Sequence, residues 1–111
     1  MDRRVEIAQT CWLNAQLHDD DIMVRDGLAD AARRAGHMRA IVDGYGLATR
    51  QREGLVDVMI DFAVQAAANE AQLAAVTPES TDITPLWAVT WRTRAAAWML
   101  RNRVLLETAL R

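Results

Sequence analysis

The sequence predicts an all-α fold, one domain of about four helices packed like a bundle. Three observations predict it. Apolar residues recur at helical spacing along nearly the whole chain, and no sustained alternation with β-branched residues marks a strand. The 111 residues suffice for one modest core but not for two lobes with a cleft between them. With 51% of residues apolar and 25% charged, the composition is that of an ordered globular chain rather than a disordered one.

The first helix is expected over 3–17, with Val5, Ala8, Trp12 and Ala15 on one face and Ile7, Cys11 and Leu13 widening it. Asp19, Asp20 and Asp21 follow it as a loop. The second is expected over 28–44, with an apolar stripe of Leu28, Ala32, Ala35, Met38, Ile41, Val42 and Tyr45. Gly44 and Gly46 of "DGYGL" stop it, because glycine adopts the left-handed conformation that closes a helix end. Gly36 lies mid-helix, where it costs ~1 kcal/mol of propensity relative to alanine and points to a kink or a close packing contact.

Thr49 is a good N-cap for a third helix over 50–75, whose buried side is Leu55, Val56, Met59, Ile60, Phe62, Ala63, Ala66, Ala67 and Leu73. The linker "VTPESTDITP" holds both prolines. Thr84 and Pro85 form an N-cap and first-position pair for the last helix, 85–110, which carries Trp87, Trp91, Trp98 and Leu105 on one side.

The basic residues narrow the chemistry. All 13 are arginine, so neither the lysine of a P-loop nor that of a kinase nucleotide site is present, and Schiff-base catalysis is excluded. The arginines are dispersed in pairs and the net charge is −2, which does not make a nucleic-acid footprint. Cys11 is the only cysteine, which excludes an intramolecular disulfide, and its apolar surroundings predict a buried, inert thiol. No window is long and apolar enough for a membrane span, and "MDRRVE" has no apolar signal region, so a cytoplasmic chain is expected.

No catalytic constellation assembles. His18 with Asp19, Asp20 and Asp21 is the best metal candidate, but a calcium loop requires alternating acidic ligands, a central glycine and a glutamate at its twelfth position. Counting from Asp19, the sixth residue is Val24 and the twelfth Asp30, so no metal is expected. His37 reads as solvated, Asp57 and Asp61 as the wet face of the third helix, and Ser80, Thr81 and Asp82 as turn and cap residues. The tryptophans read chiefly as core residues at helical spacing, with a stacking surface for a planar ligand or an interface stripe as the other readings.

Two stretches, "DRRVEIAQTCWLNAQLHDDD" and "HMRAIVDGYGL", resemble the C-terminal half of the aminoglycoside phosphotransferase family, enzymes of kinase-like fold. Asp2, Arg3 and Arg4 match the family's opening motif, Glu6, Ile7 and Ala8 stand where it has Asp-Leu-Ala, and Arg39 through Leu47 match its helix end. The resemblance implies the helical subdomain of such an enzyme, with Asp19, Asp20 and Asp21 flanking the acceptor pocket where carboxylates meet ammonium groups. Glu6 takes the place of the aspartate that braces the catalytic loop. The catalytic loop, the metal-binding aspartates and the nucleotide lobe would all precede Met1. ATP and magnesium are therefore implied only for a complete family member, and no cofactor for this chain alone.

Two readings follow. In the first, the chain is a C-terminal fragment or remnant of an aminoglycoside-phosphotransferase-like protein, not catalytic alone. It associates with itself or with a missing N-terminal segment through surfaces carrying Trp12 and Trp87, or serves as half of a split enzyme. In the second, it is a free-standing small helical module that binds a ligand or a protein between its helices, near Trp12, Trp87, Trp91 and Trp98.

Overall fold

The structure, a computed structural model, describes residues 3–15, 17–19 and 30–111. All regular structure among these residues is helical, and no strand occurs among them. The first helix, α1 (Arg3–Asn14), is closed by a bond from the Leu17 amide to the Trp12 carbonyl at 3.1 Å, which folds the chain back and buries Leu17. Asp30 caps α2 (Ala31–Gly44), its carboxylate accepting from the Arg33 amide at 2.9 Å. At the other end Gly46, at φ 69°, turns the chain so that the Leu47 amide reaches the Val42 carbonyl.

The expected third helix is two. A single turn, α3 (Thr49–Arg52), precedes the long α4 (Leu55–Leu73), with Glu53 extended and Gly54 in the left-handed region at φ 74° between them. Thr49 is inside the turn; Ala48 is the cap residue, and its amide donates to the Gln51 side chain at 2.9 Å. The last helix is also divided. In α5 (Ile83–Arg101) the cap is Asp82, which accepts from the Thr84 amide at 3.1 Å, two residues earlier than Thr84 and Pro85 suggest. Asn102 then leaves helical geometry, its side-chain amide donating to the Trp98 carbonyl at 2.9 Å, and α6 (Arg103–Ala109) starts anew.

α4 and α5 form an antiparallel hairpin, the most extensive helix pairing among the described residues. Two ion pairs mark its register: Arg92 with Glu70 at 3.5 Å toward the turn, and Arg103 with Asp57 at 2.8 Å at the far end. α1 packs across α4, and α2 against α1 and α6. Their shared core contains Ile7, Trp12, Met38, Met59, Trp98 and Leu106. Each fully buried side chain of this size contributes roughly 1.5–3 kcal/mol of transfer free energy. Along the hairpin no residue between Ala67 and Ala95 is fully buried, so the turn end runs on past the core.

Three expectations about faces change. α2 buries Arg34, Ala35, Met38 and Val42, while Ala32 and Tyr45 are exposed. On this buried face the Arg34 guanidinium lies over the Trp98 ring, 4.2 Å from its centroid, a contact that apolar counting does not see. Leu13 and Leu73 also face solvent. Gly36 is exposed, and a Cβ placed there would meet nothing within 4 Å, so no close packing contact explains it.

Candidate binding site

The helix-closing turn after α1 sets the chain down on the face of α5 that carries its tryptophans. Trp12 and Trp91 stack with ring centroids 5.5 Å apart, and Phe62 of α4 meets Trp12 edge-on at 5.8 Å. The His18 ring stands edge-on to both indoles, 5.3 Å from Trp91 and 6.2 Å from Trp12. Edge-to-face and offset arrangements of this kind place ring hydrogens against π faces, which fixes ring orientation as well as adding contact. Trp12 is buried, whereas His18 and Trp91 are half-buried and form the rim. The indole Nε1 of Trp12 is buried with no hydrogen-bond partner among the described residues. A buried donor left unsatisfied costs about 1–3 kcal/mol.

Beside this cluster the charge is arranged around one carboxylate. Asp19 accepts from Arg94 Nε at 3.4 Å and lies 3.7 Å from Arg101 Nη2, both on α5. Arg34 donates through Nη1 to the His18 carbonyl at 2.9 Å and through Nε to the Asp30 carbonyl at 3.4 Å. Its guanidinium, buried over Trp98, thereby offsets part of its desolvation with carbonyl dipoles and a π face. The segment 17–19 is therefore tied from both sides, by Arg34 below and by Arg94 and Arg101 along α5.

The residues singled out in the sequence are distributed unevenly over this geometry. Trp12 and Trp91 meet; Trp98 is fully buried beneath Arg34; Trp87, four residues beyond Trp91, is exposed. Asp19 is at the site, while Asp20 and Asp21 lie outside the described residues. Phe62, Arg34, Arg94 and Arg101 were not anticipated there. For Arg94 and Arg101 the signal was present, since both recur on the α5 face of Trp91 and Trp98 at helical spacing. No group of three or more His, Cys, Asp or Glu side chains among the described residues is placed to hold a metal ion. Cys11 is buried, and burial pushes its thiol up to about 12. No helix among the described residues is long and apolar enough to cross a membrane.

A concavity of about 300 Å³ lies between Thr49, Arg52, Glu53 and Gly54 on one side and Glu107, Leu110 and Arg111 on the other. None of the residues of the aromatic cluster lines it. Arg52 is already engaged there by Asp43 at 2.8 Å and by the Leu47 carbonyl at 2.8 Å.

The described residues form a small helical module in which a cluster of Trp12, His18, Phe62 and Trp91 joins α1, α4 and α5. The chain is similar to a trifolitoxin immunity protein of Rhizobium leguminosarum bv. trifolii, 58% identical over 106 residues, which is 96% of this chain. It spans 41% of the length of that curated relative. No family model and no solved structure matches the chain.

This relative corrects the resemblance to the aminoglycoside phosphotransferases, and with it the reading of the chain as a transferase remnant. The protein similar to nearly the whole chain carries the name of an immunity protein instead. The two motifs behind the resemblance have a structural role in the fold. Arg3 Nη2 donates to the Tyr45 carbonyl at 2.7 Å, joining the "DRR" opening to the "YGL" helix end. Arg4 Nη2 likewise donates to the Glu53 carbonyl at 2.7 Å. Residues that tie helix ends together recur in unrelated helical proteins, since open helix termini always present free carbonyls.

Proposed function

We propose that this chain is the helical binding part of a toxin-immunity protein, and that it acts by holding its target at the aromatic cluster rather than by transferring a group. The observation that carries the reading is the 58% identity to the trifolitoxin immunity protein over 96% of this chain. The free-standing helical module weighed from the sequence fits that relationship. The cluster supplies the means: the half-buried rings of Trp91 and His18, backed by Trp12, and the Asp19 carboxylate between Arg94 and Arg101. Pockets that bind small ligands or peptide segments combine apolar walls with a few oriented polar groups in this way.

The test has two arms. Purified chain is titrated with trifolitoxin while tryptophan emission is followed, and a sensitive bacterial strain expressing the chain is challenged with the same toxin. A saturable emission change that is lost on Trp91→Ala, together with protection of the strain, supports the reading. A folded chain that shows neither response overturns it.

A further inference from the structure

We propose that the turn end of the α4–α5 hairpin is a docking surface for a cationic polypeptide segment with an apolar face, separate from the aromatic cluster and independent of the immunity reading. Beyond Ala67 on α4 and before Ala95 on α5 no side chain is fully buried, yet the sequence there remains apolar. Leu73 is 86% exposed, Ile83 72% and Trp87 41%. These residues continue stripes already in use nearer the core. On α4, Leu73 falls on the line of Phe62 and Ala66, and on α5, Trp87 and Ile83 precede Trp91 by one and two turns. Phe62 and Trp91 hold Trp12 of α1 between the two helices. The same stripes thus pass from residues covered by Trp12 to residues exposed to solvent.

Charge selects what fits. No basic residue lies between Arg52 and Arg92, whereas Glu53, Asp57, Asp61, Glu70, Glu79 and Asp82 are all acidic. Asp57 is paired with Arg103 and Glu70 with Arg92. Glu79 and Asp82, which flank the turn beside Ile83, have no ion pair among the described residues. Apolar anchors rimmed by carboxylates that make no ion pair among the described residues complement a segment whose apolar residues are flanked by lysine or arginine. The same charge opposes an anionic lipid surface, and it opposes a second copy docking tip to tip, where Glu79 and Asp82 would face their own equivalents.

The proposal is tested with the whole chain and two designed helical peptides, one of leucine and lysine, the other of leucine and glutamate. Amide shifts in a two-dimensional NMR spectrum and titration calorimetry are the readouts. The lysine peptide is expected to bind, to shift amides around Glu70 to Thr90, and to weaken as salt rises. The double substitution Leu73→Ser with Ile83→Ser is expected to weaken it about tenfold. Both positions are exposed, so folding is retained, and circular dichroism confirms that. Asp61→Asn, which lies on the hairpin away from its turn, leaves binding unchanged. Equal binding of both peptides, shifts mapping elsewhere, indifference to the double substitution, or self-association of the chain through this hairpin would each overturn the proposal.

Discussion

Trp12 of α1 and Trp91 of α5 stack across the helix boundary with ring planes 28° from parallel. The pair joins three parts of the chain that are far apart in sequence, because Phe62 and His18 also rest on Trp12. A buried indole with so many ring neighbours is a fixed point for the fold. Trp12→Ala is expected to lower stability by about 3–5 kcal/mol in urea denaturation, the range for deleting a large aromatic from a core. Trp91→Ala, at a half-buried position, costs less. A double-mutant cycle between them isolates a coupling of roughly 0.5–1.5 kcal/mol; a cycle that closes to zero would show that the stack is incidental.

Arg34 is the one buried charged residue among the described residues, and its role differs from that of a surface ion pair. Its Nη1 holds the His18 carbonyl at 2.9 Å while its plane covers Trp98. Arg34→Ala is expected to cost about 1.5–3 kcal/mol, the range for a hydrogen bond involving a charged group. Arg34→Lys recovers little of it, since a compact ammonium cannot both cover the ring and reach the carbonyl. Full rescue by lysine, in thermal melts followed by tryptophan emission, would contradict this assignment.

Gly36 and Gly54 make opposite predictions from the same substitution. Gly36 is helical, exposed and free of neighbours, so Gly36→Ala is expected to stabilise by about 0.5–1 kcal/mol through helix propensity. Gly54 has φ 74°, and a Cβ there would lie 3.4 Å from Arg4 Nη2. Gly54→Ala is therefore expected to destabilise by roughly 1–2 kcal/mol, the cost of left-handed backbone for a residue with a Cβ. Chemical denaturation of both variants reads the two signs directly.

Cys11 links stability to alkaline pH. Burial raises its thiol from an ordinary 9.0 to about 12, so the folded chain holds a proton that the unfolded chain releases earlier. The contribution is fully present below pH 9, decreases as pH rises from there, and levels off near 12. Cys11→Ala removes this component. The stability difference between wild type and variant should therefore be flat below pH 9 and should shift in favour of the variant above it. Native Cys11 should also resist alkylation at neutral pH until the chain is unfolded.

Periodicity in the sequence determined the all-helical class and most of the buried positions on α1 and α4, because an amphipathic stripe is a local property of spacing. It also determined that Trp91 and Trp98 share a face, and that Asp57 and Asp61 are exposed. Where helices begin and break was less local. Asp82 took the cap from Thr84, and Gly54 and Asn102 each divided a continuous apolar pattern, since caps and left-handed residues depend on which backbone groups are left open. Only tertiary structure brought Trp12, Phe62, His18 and Trp91 together, laid Arg34 over Trp98, and left Leu73 and Trp87 in solvent. Identical apolar residues on a helix become core or surface according to whether another element reaches them. Here α1 covers the hairpin as far as Trp12 and Ala15, and the stripe continues past the end of that helix.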